Sequence, residues 1–127
     1  MKTRGRLGDQ ETWSPVCPVD DLEAGRGIAA LVAGHAVALI RTEDGRIYAL
    51  GNHDPLDKAA VLSRGIVGER DGVAFVASPR TRRSYDLSTG VCLTDEQVHV
   101  PVYGVRVEDG VVLVGPRVTA KETGADR

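Results

Sequence analysis

The chain has 127 residues, 42% of them hydrophobic and only 4% aromatic, which is enough for one domain with a modest core built mainly from Val, Ile, Leu and Ala. Its formal net charge of −2 gives no electrostatic footprint for nucleic acid or an anionic membrane. No apolar run approaches the roughly 20 residues of a membrane-spanning helix.

Residues 1–10 are polar and read as a flexible arm. Basic residues at its start have no apolar run behind them, so no signal peptide is expected. A cytoplasmic location with reduced thiols at Cys17 and Cys92 follows as the expectation; their pairing needs a proximity that spacing cannot supply. Residues 11–13 read as an opening strand leading to a turn at Ser14-Pro15, and residues 19–23 as one helical turn. Strands are expected over 27–33 and 36–42, meeting around Gly34-His35. The continuous apolar run 36–40 marks a central strand.

Three Asp-Gly pairs then signal tight hairpins. Asp44-Gly45 returns the chain into 46–50, Asp71-Gly72 joins 65–70 to 73–77, and Asp109-Gly110 joins 102–107 to 111–114. Past Gly115-Pro116 the tail 117–127 turns polar, with room for a short helix over 118–123. The body, 11–116, therefore reads as all-β: an antiparallel sandwich or barrel of hairpin meanders with little helix.

Two segments stand apart from the hairpins. Asn52-His53-Asp54-Pro55 follows a strand and has the residue types of a loop braced by its own side chains. As a metal site it offers one imidazole beside Asp54 and Asp57, a poor set for a divalent ion. Ser78-Pro79-Arg80-Thr81 opens a second loop, where hydroxyls can cross-link by hydrogen bonds but no base stands by to activate a nucleophile. Arg80, Arg82 and Arg83, with Arg64 elsewhere in sequence, give a basic cluster in a slightly acidic chain: a solvated face, or a docking surface for an acidic partner. The few aromatic residues fall in or beside expected strands and read as packing groups. His35 and His99 are isolated, and neither cysteine has redox or zinc spacing. No nucleotide fingerprint, triad or phosphate loop is present, so a binding or auxiliary module fits better than a self-sufficient enzyme.

Ser78-Pro79-Arg80-Thr81 followed by Tyr85-Asp86-Leu87-Ser88-Thr89-Gly90 resembles the second loop of Rieske domains at every landmark except the metal ligands. A Rieske centre takes two cysteines and two histidines from two such loops. Here Asn52 and Ser78 stand in the cysteine places, Asp54 and Thr81 in the histidine places, and His53 at the spacer between. The segments 61–68 and 100–110 resemble one branch in particular, the small subunit of assimilatory NAD(P)H-dependent nitrite reductase (the NirD family). One departure is Leu56, which follows Asp-Pro where that family often has an aromatic residue.

The resemblance implies a Rieske-like fold, no cofactor in this chain, and a large-subunit partner holding FAD, siroheme and a [4Fe–4S] cluster that reduces nitrite to ammonium. It implies a partner-binding face at the loop tips, with Arg80, Arg82, Arg83 and His53 as its candidate residues, and no membrane or nucleic-acid partner. Two other readings stand beside it: a Rieske-type electron carrier with unconventional ligands, and a free-standing binding domain that reuses the scaffold.

Overall fold

The computed structural model describes residues 12–118, and within them the Asp-Gly signals set the layout. Eleven strands run in chain order: β1 (Ser14–Pro18), β2 (Arg26–Val32), β3 (His35–Arg41), β4 (Ile47–Gly51), β5 (Ile66–Arg70), β6 (Val73–Ala77), β7 (Ser84–Asp86), β8 (Val91–Cys92), β9 (Asp95–His99), β10 (Val102–Glu108) and β11 (Val111–Val118). They form two antiparallel sheets, one of six strands in the order β1-β11-β10-β4-β3-β2 and one of five in the order β5-β6-β7-β8-β9. At β5–β6 and β10–β11 both turn residues, Asp71-Gly72 and Asp109-Gly110, have positive φ. That mirror-image turn matches the twist of paired strands.

The apolar run in β3 has a direct explanation. Val37 and Leu39 point to one face and pack with Ala49, Val112 and Val114; Ala38 and Ile40 point to the other and join Leu50, Val76 and Tyr85 between the sheets. A strand buried on both faces has no polar alternation to show. The six-stranded sheet curls so that its edge strands β1 and β2 touch, which encloses the first cluster. A second seam joins β2 to the 3-10 turn Leu62–Arg64. There a Cβ on Gly27 would lie 2.8 Å from the Ser63 carbonyl oxygen, so the residue must be glycine.

Several expectations shift. The opening strand lies at Ser14–Pro18, not 11–13, and Ser14-Pro15 is inside it. As an edge strand paired only with β11, β1 can accept proline, which donates nothing to a ladder. Thr12 and Trp13 precede it, with the Trp13 ring against Gly104 and Gly115 and the Arg106 guanidinium 4.1 Å above it. The helical turn is a 3-10 turn over Val19–Asp21. The β2–β3 turn is Ala33-Gly34, both at positive φ, and His35 already belongs to β3.

At the far end β11 does not stop at Gly115-Pro116 but runs to Val118. A bulge opposite Gly104 takes up the two residues, so Tyr103 pairs with Arg117 while Val105 pairs with Val114. Arg117 and Val118, the first residues of the expected tail, belong to β11, and the expected helix over 118–123 lies outside the described residues from 119 on. The arm 1–10 and the tail beyond 118 lie outside the described residues.

Candidate functional site

Two loops meet at one end of the molecule. The first, residues 52–61, leaves β4; the second, residues 78–83, joins β6 to β7. Both are built by side chains bonding to nearby backbone. The Asn52 side-chain oxygen accepts the Ser63 N–H at 2.7 Å, and Ser78 Oγ accepts the N–H groups of Arg80 (3.1 Å) and Thr81 (3.3 Å). Backbone bonds from Ser78 N to Arg83 O and from Arg82 N to Ser78 O close the second loop, with Arg82 at φ 66 at its exposed turn.

Asp54 is the centre of the arrangement. Its carboxylate is fully buried and accepts the Leu56 N–H (3.0 Å), the Tyr85 hydroxyl (3.1 Å) and the Thr81 hydroxyl (2.7 Å). One bond comes from its own loop, one from the second loop and one from β7. Burial raises the Asp54 pKa, but hydrogen bonds from Ser78, the Leu56 N–H, Thr81 and Tyr85 outweigh it and hold the group below the usual carboxylate range. Burial, and then the adjacent Asp54 charge, push the Tyr85 phenol well up, so it stays a donor. Asp54 and Thr81, which the resemblance sets in the histidine places, are thus hydrogen-bonded to each other. Ser78 and Asn52, set by the resemblance in the cysteine places, bond to backbone, Ser78 within its own loop and Asn52 to Ser63.

The arginines are not equivalent. Arg80 Nε pairs with Asp57 of the first loop, a second link between the loops on the outside of the node. Arg83 reaches the Thr94 hydroxyl at 3.4 Å, beside the start of β9. Arg82 is exposed, and no ion pair involving it is found among the described residues. Arg64 lines a separate crevice with Arg26 and Ile66. His53 is exposed and its backbone bridges to Ala60. Leu56, the departure noted above, is exposed at this tip (44%).

Sequence reasoning placed Tyr85 in the core and missed its hydroxyl as a partner of Asp54. It also missed Asp57 as the partner of Arg80. The landmark aromatic before Asp-Leu was the available signal for Tyr85; nothing local signals Asp57, which is 23 residues from Arg80.

A [2Fe–2S] centre does not fit these residues. The four places that the resemblance assigns to ligands hold an amide, a carboxylate and two hydroxyls, which are engaged with each other or with backbone. The two thiols lie elsewhere, Cys17 in β1 and Cys92 buried in β8. Among the described residues no three His, Cys, Asp or Glu side chains converge as a metal site.

Residues 12–115 match the family model described as a Rieske-like [2Fe-2S] domain. The chain is 43% identical over 101 residues to the nitrite reductase (NADH) small subunit of Salmonella typhimurium, covering 79% of this chain and 94% of that protein. The chain belongs to the nitrite reductase small-subunit family. The crystal structure of a nitrite reductase small subunit from Mycobacterium tuberculosis superposes with a TM-score of 0.81 at 44% identity, covering 86% of this chain and 98% of that one. A further relative places the module differently: 103 residues, 81% of this chain, are 35% identical to a segment making up 11% of the nitrite reductase [NAD(P)H] large subunit of Klebsiella oxytoca. The small-subunit fold thus occurs as a separate chain and as part of a longer one.

Proposed function

We propose that this chain is the non-catalytic small subunit of an assimilatory NAD(P)H nitrite reductase, and that it works by docking on a large subunit. The observation that carries the reading is the substituted cluster site. None of the four places that the resemblance assigns to cluster ligands offers a thiolate or an imidazole, yet the two loops are kept together by the Asp54 node. A site kept in shape without its chemistry suits contact, and the relative in which this module lies within a large-subunit chain supports that choice of partner.

On this reading the partner holds FAD, siroheme and a [4Fe–4S] cluster, takes electrons from NAD(P)H and reduces nitrite to ammonium in the cytoplasm. The small subunit contributes assembly and stability, and its loop tips, with Arg80, Arg82, Arg83 and His53, face the large subunit. Arg82 is the foremost cation of that face because Arg80 and Arg83 already have partners within the chain.

The experiment is to express the large subunit with and without this chain, purify each, and assay nitrite reduction. The expected result is co-purification, with higher or longer-lived activity when the chain is present. Purified alone, the chain should carry no iron; stoichiometric iron and sulfide would overturn the reading. So would a large subunit that neither binds the chain nor responds to it.

A further inference from the structure

Taking the small-subunit reading as its basis, we propose that Asp54 is a positioning residue for assembly: its carboxylate presets the two-loop face that meets the large subunit, so that Arg82 and Leu56 are presented in fixed geometry. The partner surface this fits is acidic and rimmed by apolar side chains.

The geometry carries the argument in three steps. First, loops of this length ordinarily sample many conformations, and ordering them on contact weakens binding. Here one buried carboxylate accepts from Leu56, Thr81 and Tyr85, which ties the first loop to the second and both to the rigid strand β7. Second, the groups on the outer side of the node are the exposed ones. Leu56 is two residues from Asp54, and Arg82 is next to Thr81, held at a positive φ by bonds between Ser78 and residues 82 and 83. Third, Arg80 and Asp57 cancel each other across the loops. The exposed cations of the two loops without an ion pair among the described residues are therefore Arg82 of the second loop and Lys58 of the first, and the first loop also exposes Leu56. A face that offers a guanidinium and a leucine from tied loops selects a partner with carboxylates and an apolar contact.

The test compares Asp54→Ala, Asp54→Asn and Arg82→Glu in the full chain, with two readouts. Amide hydrogen exchange of the free chain reports loop order, and affinity for the purified large subunit reports docking. For Asp54→Ala, exchange at the amides of Leu56, Thr81 and Arg83 should accelerate by about tenfold or more, with affinity reduced about tenfold. Asp54→Asn keeps an acceptor of the same shape and should recover most of both. Arg82→Glu should weaken affinity while leaving loop exchange unchanged.

Unaltered exchange in Asp54→Ala overturns the clamp, and faster exchange with full affinity overturns its role in docking while the small-subunit reading stands. Wild-type chain that fails to bind the large subunit overturns that reading itself, and the exchange result still judges the clamp. If Asp54→Ala does not fold, Thr81→Val removes a single bond of the node and is judged by the same two measurements.

Discussion

The molecule has two buried regions that hold it together by different means. Under the six-stranded sheet, Val37, Leu39, Ala49, Val112 and Val114 form an apolar cluster with no polar partner to satisfy. At the loop end, Asp54 is just as buried but is surrounded by donors from three segments of chain. Apolar packing is additive and forgiving, since each contact contributes a little and neighbours can shift. A buried polar node depends on every member, because removing one leaves the others desolvated and unpaired. The first region therefore governs whether the domain folds, and the second governs where two surface loops sit.

That contrast can be broken at several points. The largest effect is expected from Leu39→Ala in the apolar cluster, which should cost about 2–5 kcal/mol in global stability by denaturant unfolding. Affinity of the remaining folded fraction for the large subunit should be unchanged; a selective loss of affinity would mean the two regions are mechanically coupled.

Acid is the next lever, and it acts on the node alone when wild type and Asp54→Asn are compared. The folded-state pKa of Asp54 is lowered, so its contribution to stability is present above the ordinary carboxylate value of about 4 and is lost as pH falls through the folded pKa. Below about pH 4 the wild-type denaturation midpoint should drop more steeply than that of Asp54→Asn. Parallel curves would show that the carboxylate charge is not what holds the loops.

Tyr85→Phe sharpens the comparison further, because this ring belongs to the apolar core while its hydroxyl belongs to the node. Ring packing is retained, so a loss of about 1.5–3 kcal/mol is expected for one bond to a charged acceptor. The loss should be accompanied by faster exchange in the second loop. The smallest effect is expected from Arg80→Ala. Its pairing with Asp57 lies in solvent, so the unfolding midpoint should not move measurably at physiological salt.

Much of the scaffold was legible because its signals are local. Asp71-Gly72 and Asp109-Gly110 specify their turns from two residues, and the β3 run announces burial on both faces. The segment 84–99 was not read as strands, because β7, β8 and β9 are short and a register shift interrupts the last pair. Alternation needs several residues to register as a period, and β8 has two. The start of β1 was misplaced because Ser14-Pro15 is turn chemistry in isolation and becomes a strand only through β11.

The candidate site divides in the same way. Its positions were legible, since Asn52, Asp54, Ser78 and Thr81 sit at landmarks that the surrounding residues mark. Their partners were not: Thr81 and Tyr85 lie 27 and 31 residues from the carboxylate they share. Sequence by itself therefore determined that Asn52, Asp54, Ser78 and Thr81 are neither thiols nor imidazoles, because side-chain chemistry is a property of residue type. Only the tertiary structure decided what these side chains bond to. Whether a buried carboxylate is a liability or a clamp depends on which donors folding brings within about 3 Å of it, and those donors come from distant parts of the chain.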